Sequence, residues 1–144
     1  MSTIRELDLA NDLPMLRKWW ELHKAVPCPE SFLPQGFLIS AGGVDVAAAF
    51  LYMDVGGKLA MIEYLTTNPS VAFSRYLVED VKALIAHIEA VAVKQGCTGI
   101  ISMVAPETGE FRLMQRMGYL PPDAGAKPHV MFCKRLVKEE GKCP

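Results

Sequence analysis

The sequence lacks several features that would assign a function class at once. No charged stretch followed by an apolar run stands near its start, as a secretory signal would require. Its longest apolar stretch, Val44 to Val55, is interrupted by Asp45 and Asp54 and is too short to span a bilayer. These absences predict a cytoplasmic protein with no membrane partner. Surplus basic charge is also missing: 15 Lys and Arg stand against 16 Asp and Glu, so a broad nucleic-acid-binding face is not indicated. The weak gathering of Lys134, Arg135, Lys138 and Lys142 is offset by Glu139 and Glu140 and reads as a solvated tail. Cysteine is sparse. Cys28, Cys97, Cys133 and Cys143 include no pair at zinc-knuckle or redox spacing. No metal site is expected, and the thiols are expected to be buried or idle rather than joined in disulfides. Repeats, linkers and low-complexity segments are absent too.

What the chain does have is enough apolar residue for a core. Its 144 residues, 51% hydrophobic, suffice for one domain and are too few for two. That domain is expected over residues 1–138, with 139–144 a frayed polar tail. Ile4, Leu7 and Leu9 mark a short strand. Asn11 or Asp12 can cap a helix with Pro14 in its first turn, and Leu13, Leu16, Trp19 or Trp20, and His23 follow at helical spacing. Pro27-Cys28-Pro29 ends that helix. Phe37 to Ser40, Val44 to Val55 and Leu59 to Thr67 read as a three-stranded meander, broken at Gly42-Gly43 and Gly56-Gly57 and stopped by Asn68-Pro69. From Phe73 to Gln95 the period changes: Leu77, Val81, Leu84, Ile85, Ile88 and Ala92 form one helical stripe, which Gly96 closes. Ile100 to Val104 reads as a strand buried between neighbours, Glu107 to Met117 as a helix ended by Gly118, and Val130 to Val137 as a last strand beyond a loop at Pro121 to Pro128. The order is β-α-β-β-β-α-β-α-β. The fold class is α/β (α+β), a mixed, mostly antiparallel sheet flanked by helices.

That order resembles the GNAT (Gcn5-related N-acetyltransferase) superfamily over about Ile4 to Leu136. Two stretches sharpen the resemblance. One is the hairpin ending at Asn68-Pro69, followed at once by the amphipathic helix that runs to Gln95-Gly96-Cys97. The other is Glu110-Phe111-Arg112-Leu113-Met114-Gln115-Arg116-Met117-Gly118-Tyr119, similar to the family's closing helix. The resemblance implies acetyl-CoA as co-substrate and no metal. The thioester-bearing arm would lie where two parallel strands splay apart, along Leu65, Thr66 and Thr67. The pyrophosphate would sit on the loop Ser70 to Tyr76 at a helix N-terminus, with side-chain contacts from Ser70, Ser74 and Arg75. The chain departs from the family pattern there. Where the family carries Arg/Gln-x-x-Gly-x-Gly/Ala, the ungapped match places Ala72, Arg75 and Leu77, and no glycine permits close backbone approach. The positions of the family's pantetheine-binding Asn and thiolate-protonating Tyr hold Glu107 and Met114; Tyr64 and Tyr119 are near but unmatched, and Met114 reads most simply as core.

An amine must lose a proton to attack a thioester. Glu63, in the strand and flanked by Ile62, Tyr64 and Leu65, is the candidate general base. Asp54 reads as a turn residue. His23 would line the acceptor side, His87 reads as a surface residue, and His129 opens the last strand. Trp19 and Trp20 point about 100° apart on a helix, so one is expected in the core and the other at a rim, where it could contact an acceptor or a second protomer of a homodimer. The expected function is acetyl transfer to a small-molecule or peptide amine. The alternative is a catalytically inactive module that binds CoA, another small ligand or a protein partner.

Overall fold

In the computed structural model, which describes residues 1–105 and 108–119, the strands are β1 (Ser2–Glu6), β2 (Gln35–Ala41), β3 (Val44–Met53), β4 (Leu59–Thr67) and β5 (Gly99–Ile101). The helices are α1 (Leu9–Leu22), α2 (Arg75–Lys94) and α3 (Gly109–Arg116), with a single 3-10 turn at Glu30–Phe32. Spatial order in the sheet follows chain order, β1-β2-β3-β4-β5. The first three pairings are antiparallel and the last, β4 with β5, is parallel. The expected strand Val130 to Val137, the loop before it, the tail 139–144, Glu107, His129, Cys133 and Cys143 lie outside the described residues.

Hairpin chemistry sets the meander. Gly42 and Gly43 both take positive φ (58° and 80°), the signature of a two-residue turn that matches strand twist. In the next turn Gly57 sits at φ 67°, and the Asp54 carboxylate accepts the N–H groups of Lys58 and Leu59 at 2.8 and 3.0 Å. Asp54 is therefore a turn residue, as its position suggests.

Two apolar layers sandwich the sheet. On one face Leu77, Val81, Leu84, Ile85, Ile88 and Ala92 of α2 pack on Phe37, Ile39, Ala47, Ala49, Leu51, Ala60 and Ile62, together with Leu113 and Met114 of α3. On the other face Leu13, Leu16, Trp19 and Trp20 of α1 cover Leu38, Ala48 and Phe50. Met114 is 4% exposed, a core residue.

Three local expectations need correction. The cap of α1 is Asp8, whose carboxylate accepts from Ala10 N and Asn11 Nδ2; the Asp12 carboxylate is instead gripped by Arg5 at 2.7 and 2.8 Å and by the Asp8 N–H. Pro14 consequently lies inside the helix rather than in its first turn. Both tryptophans are buried, at 5% and 3% exposure, because the second apolar layer, with Cys28, Phe32 and Leu33 from beyond the helix, closes around both. Neither stands exposed at a rim. Finally, β5 is three residues long, and Ile101 and Met103 are nearly half exposed rather than buried.

Candidate active site

Pairing between the two parallel strands is brief. Leu59, Ala60 and Met61 face Gly99, Ile100 and Ile101, and the ladder then stops. Beyond it only side chains hold the strands together: Ser102 Oγ donates to the Ile62 carbonyl at 2.9 Å, and the Met103 N–H donates to Glu63 Oε1 at 2.8 Å. Past Glu63, β4 continues to Thr67 with β3 on one side and, among the described residues, no paired strand on the other.

A β-bulge starts at the same point. Phe50 faces Glu63 and Ala48 faces Thr66, so Tyr64 and Leu65 together oppose Ala49. Tyr64 adopts φ 55°, a left-handed conformation that is costly for a residue with a Cβ. Regular alternation would put Tyr64 on the face of Ile62. The bulge turns it to the opposite face, where its ring lies 6.4 to 6.5 Å from those of Trp20, Phe50 and Tyr52. Backbone strain stored beside a cavity is where a functional site is to be sought.

The cavity has a volume of about 590 Å³. The end of β4 forms its floor through Tyr64, Leu65, Thr66 and Thr67. One wall is apolar, from Phe73, Leu77, Val78 and Val81. The other is α3, with Glu110, Arg112, Leu113 and Arg116. Trp20 and His23 close the end near α1. His23 Nε2–H donates to the Thr67 carbonyl at 2.8 Å.

Of the residues expected at the site, Leu65, Thr66 and Thr67 line this cleft. Glu63 stands at its vertex. Burial pushes the Glu63 carboxyl up, against the opposing pull of the Met103 N–H. Ser70, Ser74 and Arg75 lie outside the lining. The Ser70 N–H donates to the Asn68 side chain at 2.9 Å, Ser74 Oγ caps α2 by accepting from Leu77 N at 3.3 Å, and the Arg75 guanidinium sits 5.1 Å over the Tyr76 ring. Tyr119 donates its hydroxyl to Glu89 at 2.8 Å and lines a separate groove beside β5, away from the cleft. His87 is half-buried, edge-on to Phe37 at 5.1 Å, and so is not simply a surface residue.

Sequence reasoning missed Glu110, Arg112 and Arg116 as cleft residues. Glu110 stands in the first turn of α3, behind the Thr108 cap, where an acid is unremarkable in sequence. Only the packing of α3 across the open end of β4 makes it special. Burial first, and then the negative charge of Glu63, push its carboxyl up to about 7, although the helix N-terminus favours the ionised form. No group of three metal-ligating side chains occurs among the described residues, and no helix there is long and apolar enough to cross a membrane.

Solved structures share this fold. The aminoglycoside acetyltransferase AAC(6')-Iy, in complex with a bisubstrate analogue of CoA and acetylneamine, matches 94% of this chain and 99% of its own at a TM-score of 0.65 and 18% identity. Ribosomal-protein-alanine N-acetyltransferase from Brucella melitensis biovar Abortus 2308 matches 93% and 100%, with a TM-score of 0.64 and 12% identity. This chain has the GNAT fold. A third GNAT structure, N-acetylglutamate synthase from Neisseria gonorrhoeae complexed with coenzyme A and N-acetyl-glutamate, matches 80% of this chain at a TM-score of 0.62 and 18% identity, but this chain spans only 28% of that protein's length. No family model matches the sequence, and no curated protein matches it. Against these solved structures the GNAT likeness is carried by architecture, at identities of 12 to 18%.

Proposed function

We propose that this chain transfers an acetyl group from acetyl-CoA to a primary amine by direct attack of the amine on the thioester. The observation that carries the reading is the parting of β4 and β5 after Met61 and Ile101, which leaves a cleft beside Thr66 and Thr67. Free backbone groups along the unpaired edge of β4 suit the amide-bearing pantetheine arm, which would bind as an added strand. The apolar wall of Phe73, Leu77, Val78 and Val81 suits its alkyl portions, and Arg112 and Arg116 are cations for the phosphates. Leu65, Thr66 and Thr67 are assigned to the arm. Ser70, Ser74 and Arg75 precede or open α2, so the phosphates can still meet the free N–H groups of its first turn. Acetyl-CoA supplies the activated acyl group. The chain supplies alignment of the two substrates and, through the carboxylates Glu63 and Glu110, a place for the amine proton.

The relatives suggest three amine classes for the acceptor: an amino acid, an aminoglycoside and a protein terminus. A second reading, a module that binds CoA without turnover, draws on the burial of Met114 and on the engagement of the Tyr119 hydroxyl with Glu89, which leave no tyrosine acid on the closing helix. Two measurements separate the readings. Acetyl-CoA at a hundredfold excess over its Kd should stabilise the fold by about 2.7 kcal/mol, seen as a rise in Tm. Thiol release with glutamate, neamine or an alanine-terminated peptide should then report turnover, and the double variant Glu63→Gln/Glu110→Gln should abolish it while keeping the Tm rise. Absence of any Tm rise removes both readings; a rise without thiol release leaves the binding module.

A further inference from the structure

We propose that Glu110, rather than Glu63, takes the proton from the attacking amine, and that Glu63 is a positioning residue that fixes the point at which β4 and the chain leaving β5 part. The inference rests on the acetyl-transfer reading and divides the labour within it. Geometry separates the two carboxylates. Glu63 Oε1 is committed to the Met103 N–H, and together with Ser102 on Ile62 it forms the last tie between β4 and the chain leaving β5. It does not line the cleft. Glu110 does, from the facing wall, half-buried and with no hydrogen bond or ion pair among the described residues.

The surroundings of Glu110 suit proton transfer near neutral pH. Burial and the adjacent Glu63 charge disfavour its ionised form. Among the described residues, the other charged or titratable side chains that line the cleft are Tyr64 of β4, His23 from the end of α1, and Arg112 and Arg116 on α3 itself; α2 contributes only apolar groups there. A base matched to the operating pH is more effective than one ionised far below it. In the step itself, the substrate ammonium gives one proton to the Glu110 carboxylate. The neutral nitrogen forms a bond to the thioester carbon and the carbon–sulfur bond breaks. The departing thiolate takes the second nitrogen proton, and Glu110 returns its own to solvent. No tyrosine acid is then needed, which fits the place of Met114 in the core.

The test uses the full chain, acetyl-CoA and whichever amine of the panel is turned over fastest. Thiol-release rates are followed against pH in wild type, Glu110→Gln and Glu63→Gln, alongside a carbon-13 carboxyl NMR titration of Glu110. Glu110→Gln should lower kcat/KM by about 100-fold or more and flatten the acidic limb of the profile, with the acetyl-CoA Tm rise kept. Glu63→Gln should stay within about tenfold of wild type, and both the limb and the Glu110 NMR midpoint should move to lower pH together, because a neighbouring negative charge is gone. A limb and a Glu110 midpoint that both stay at their wild-type positions in Glu63→Gln would mean that Glu63 places no charge on the base and would overturn its share of the proposal. An acidic limb that survives in Glu110→Gln, or a Glu110 signal that titrates in the ordinary carboxylate range, overturns the assignment while leaving acetyl transfer standing. A wild-type chain that acetylates no amine removes the reaction, and this role with it.

Discussion

The two halves of β4 follow different rules although one continuous backbone runs through both. Leu59 to Met61 pairs with β5 and Ala60 to Ile62 with β3; the side chains of Ala60 and Ile62 have no exposed surface and contribute packing. Glu63 to Thr67 keeps β3 but has lost β5. In that short stretch stand a half-buried carboxylate, a left-handed Tyr64, the buried hydroxyl of Thr66 and a carbonyl held by His23. A sheet with all its edges paired has no room for a substrate. Interrupting one parallel pairing frees backbone donors and acceptors, creates space for α3 to present Glu110, and concentrates the strain in one bulge.

The largest expected effect tests the closed half. Ile62→Ala removes a fully buried side chain between the sheet and α2 and should destabilise the fold by about 2–5 kcal/mol in denaturant titration. A loss below about 1 kcal/mol would mean that the paired half is not what anchors the cleft.

The bulge offers a sharper comparison. At an ordinary strand position alanine is more stable than glycine by about 0.5–1 kcal/mol. At Tyr64 the order should reverse, with Tyr64→Gly more stable than Tyr64→Ala by about 1 kcal/mol, because glycine adopts φ 55° without a Cβ clash. Both variants lose the same ring contacts, so their difference isolates the backbone. An alanine variant that keeps its ordinary advantage of about 0.5–1 kcal/mol over glycine would place Tyr64 in an unstrained conformation.

These halves also differ in how far the sequence reveals them. The meander is legible because its turns are written in glycine, and Gly42, Gly43 and Gly57 do take positive φ. The stripe Leu77, Val81, Leu84, Ile85, Ile88 and Ala92 is legible because helical period alone determines which side chains face inward, and all six are buried. The bulge is not legible, since tyrosine carries no sign of a left-handed backbone. Nor is the burial of both Trp19 and Trp20, which depends on chain beyond α1 closing over them. Glu63 could be suspected from its apolar neighbours within one strand. Glu110 could not, because its environment is a cavity that α3 shares with the end of a strand more than forty residues earlier. Local pattern reports elements; a site assembled across the sheet's open end is a tertiary property.

The smallest effect sets the charge of the open half against fold stability. The Glu110 carboxyl is raised in the folded state to about 7 from an ordinary value of 4.5. Below pH 4.5 it is protonated in both folded and unfolded chains and contributes no pH dependence. As pH rises from there to about 7, the unfolded chain releases its proton first, so folding becomes progressively less favourable, and above pH 7 the penalty is constant. Glutamine carries no such charge. Glu110→Gln should therefore match wild type in unfolding free energy at pH 4 and exceed it at pH 8, by about 1 kcal/mol once solvent screening of a half-buried group is allowed for. A substitution that raises stability at the pH where it lowers activity is the signature of a group kept charged and poorly solvated for its chemistry. If the two stability curves stay parallel from pH 4 to pH 8, Glu110 is an ordinary surface acid, and the open half of the sheet holds only one carboxylate out of the common range.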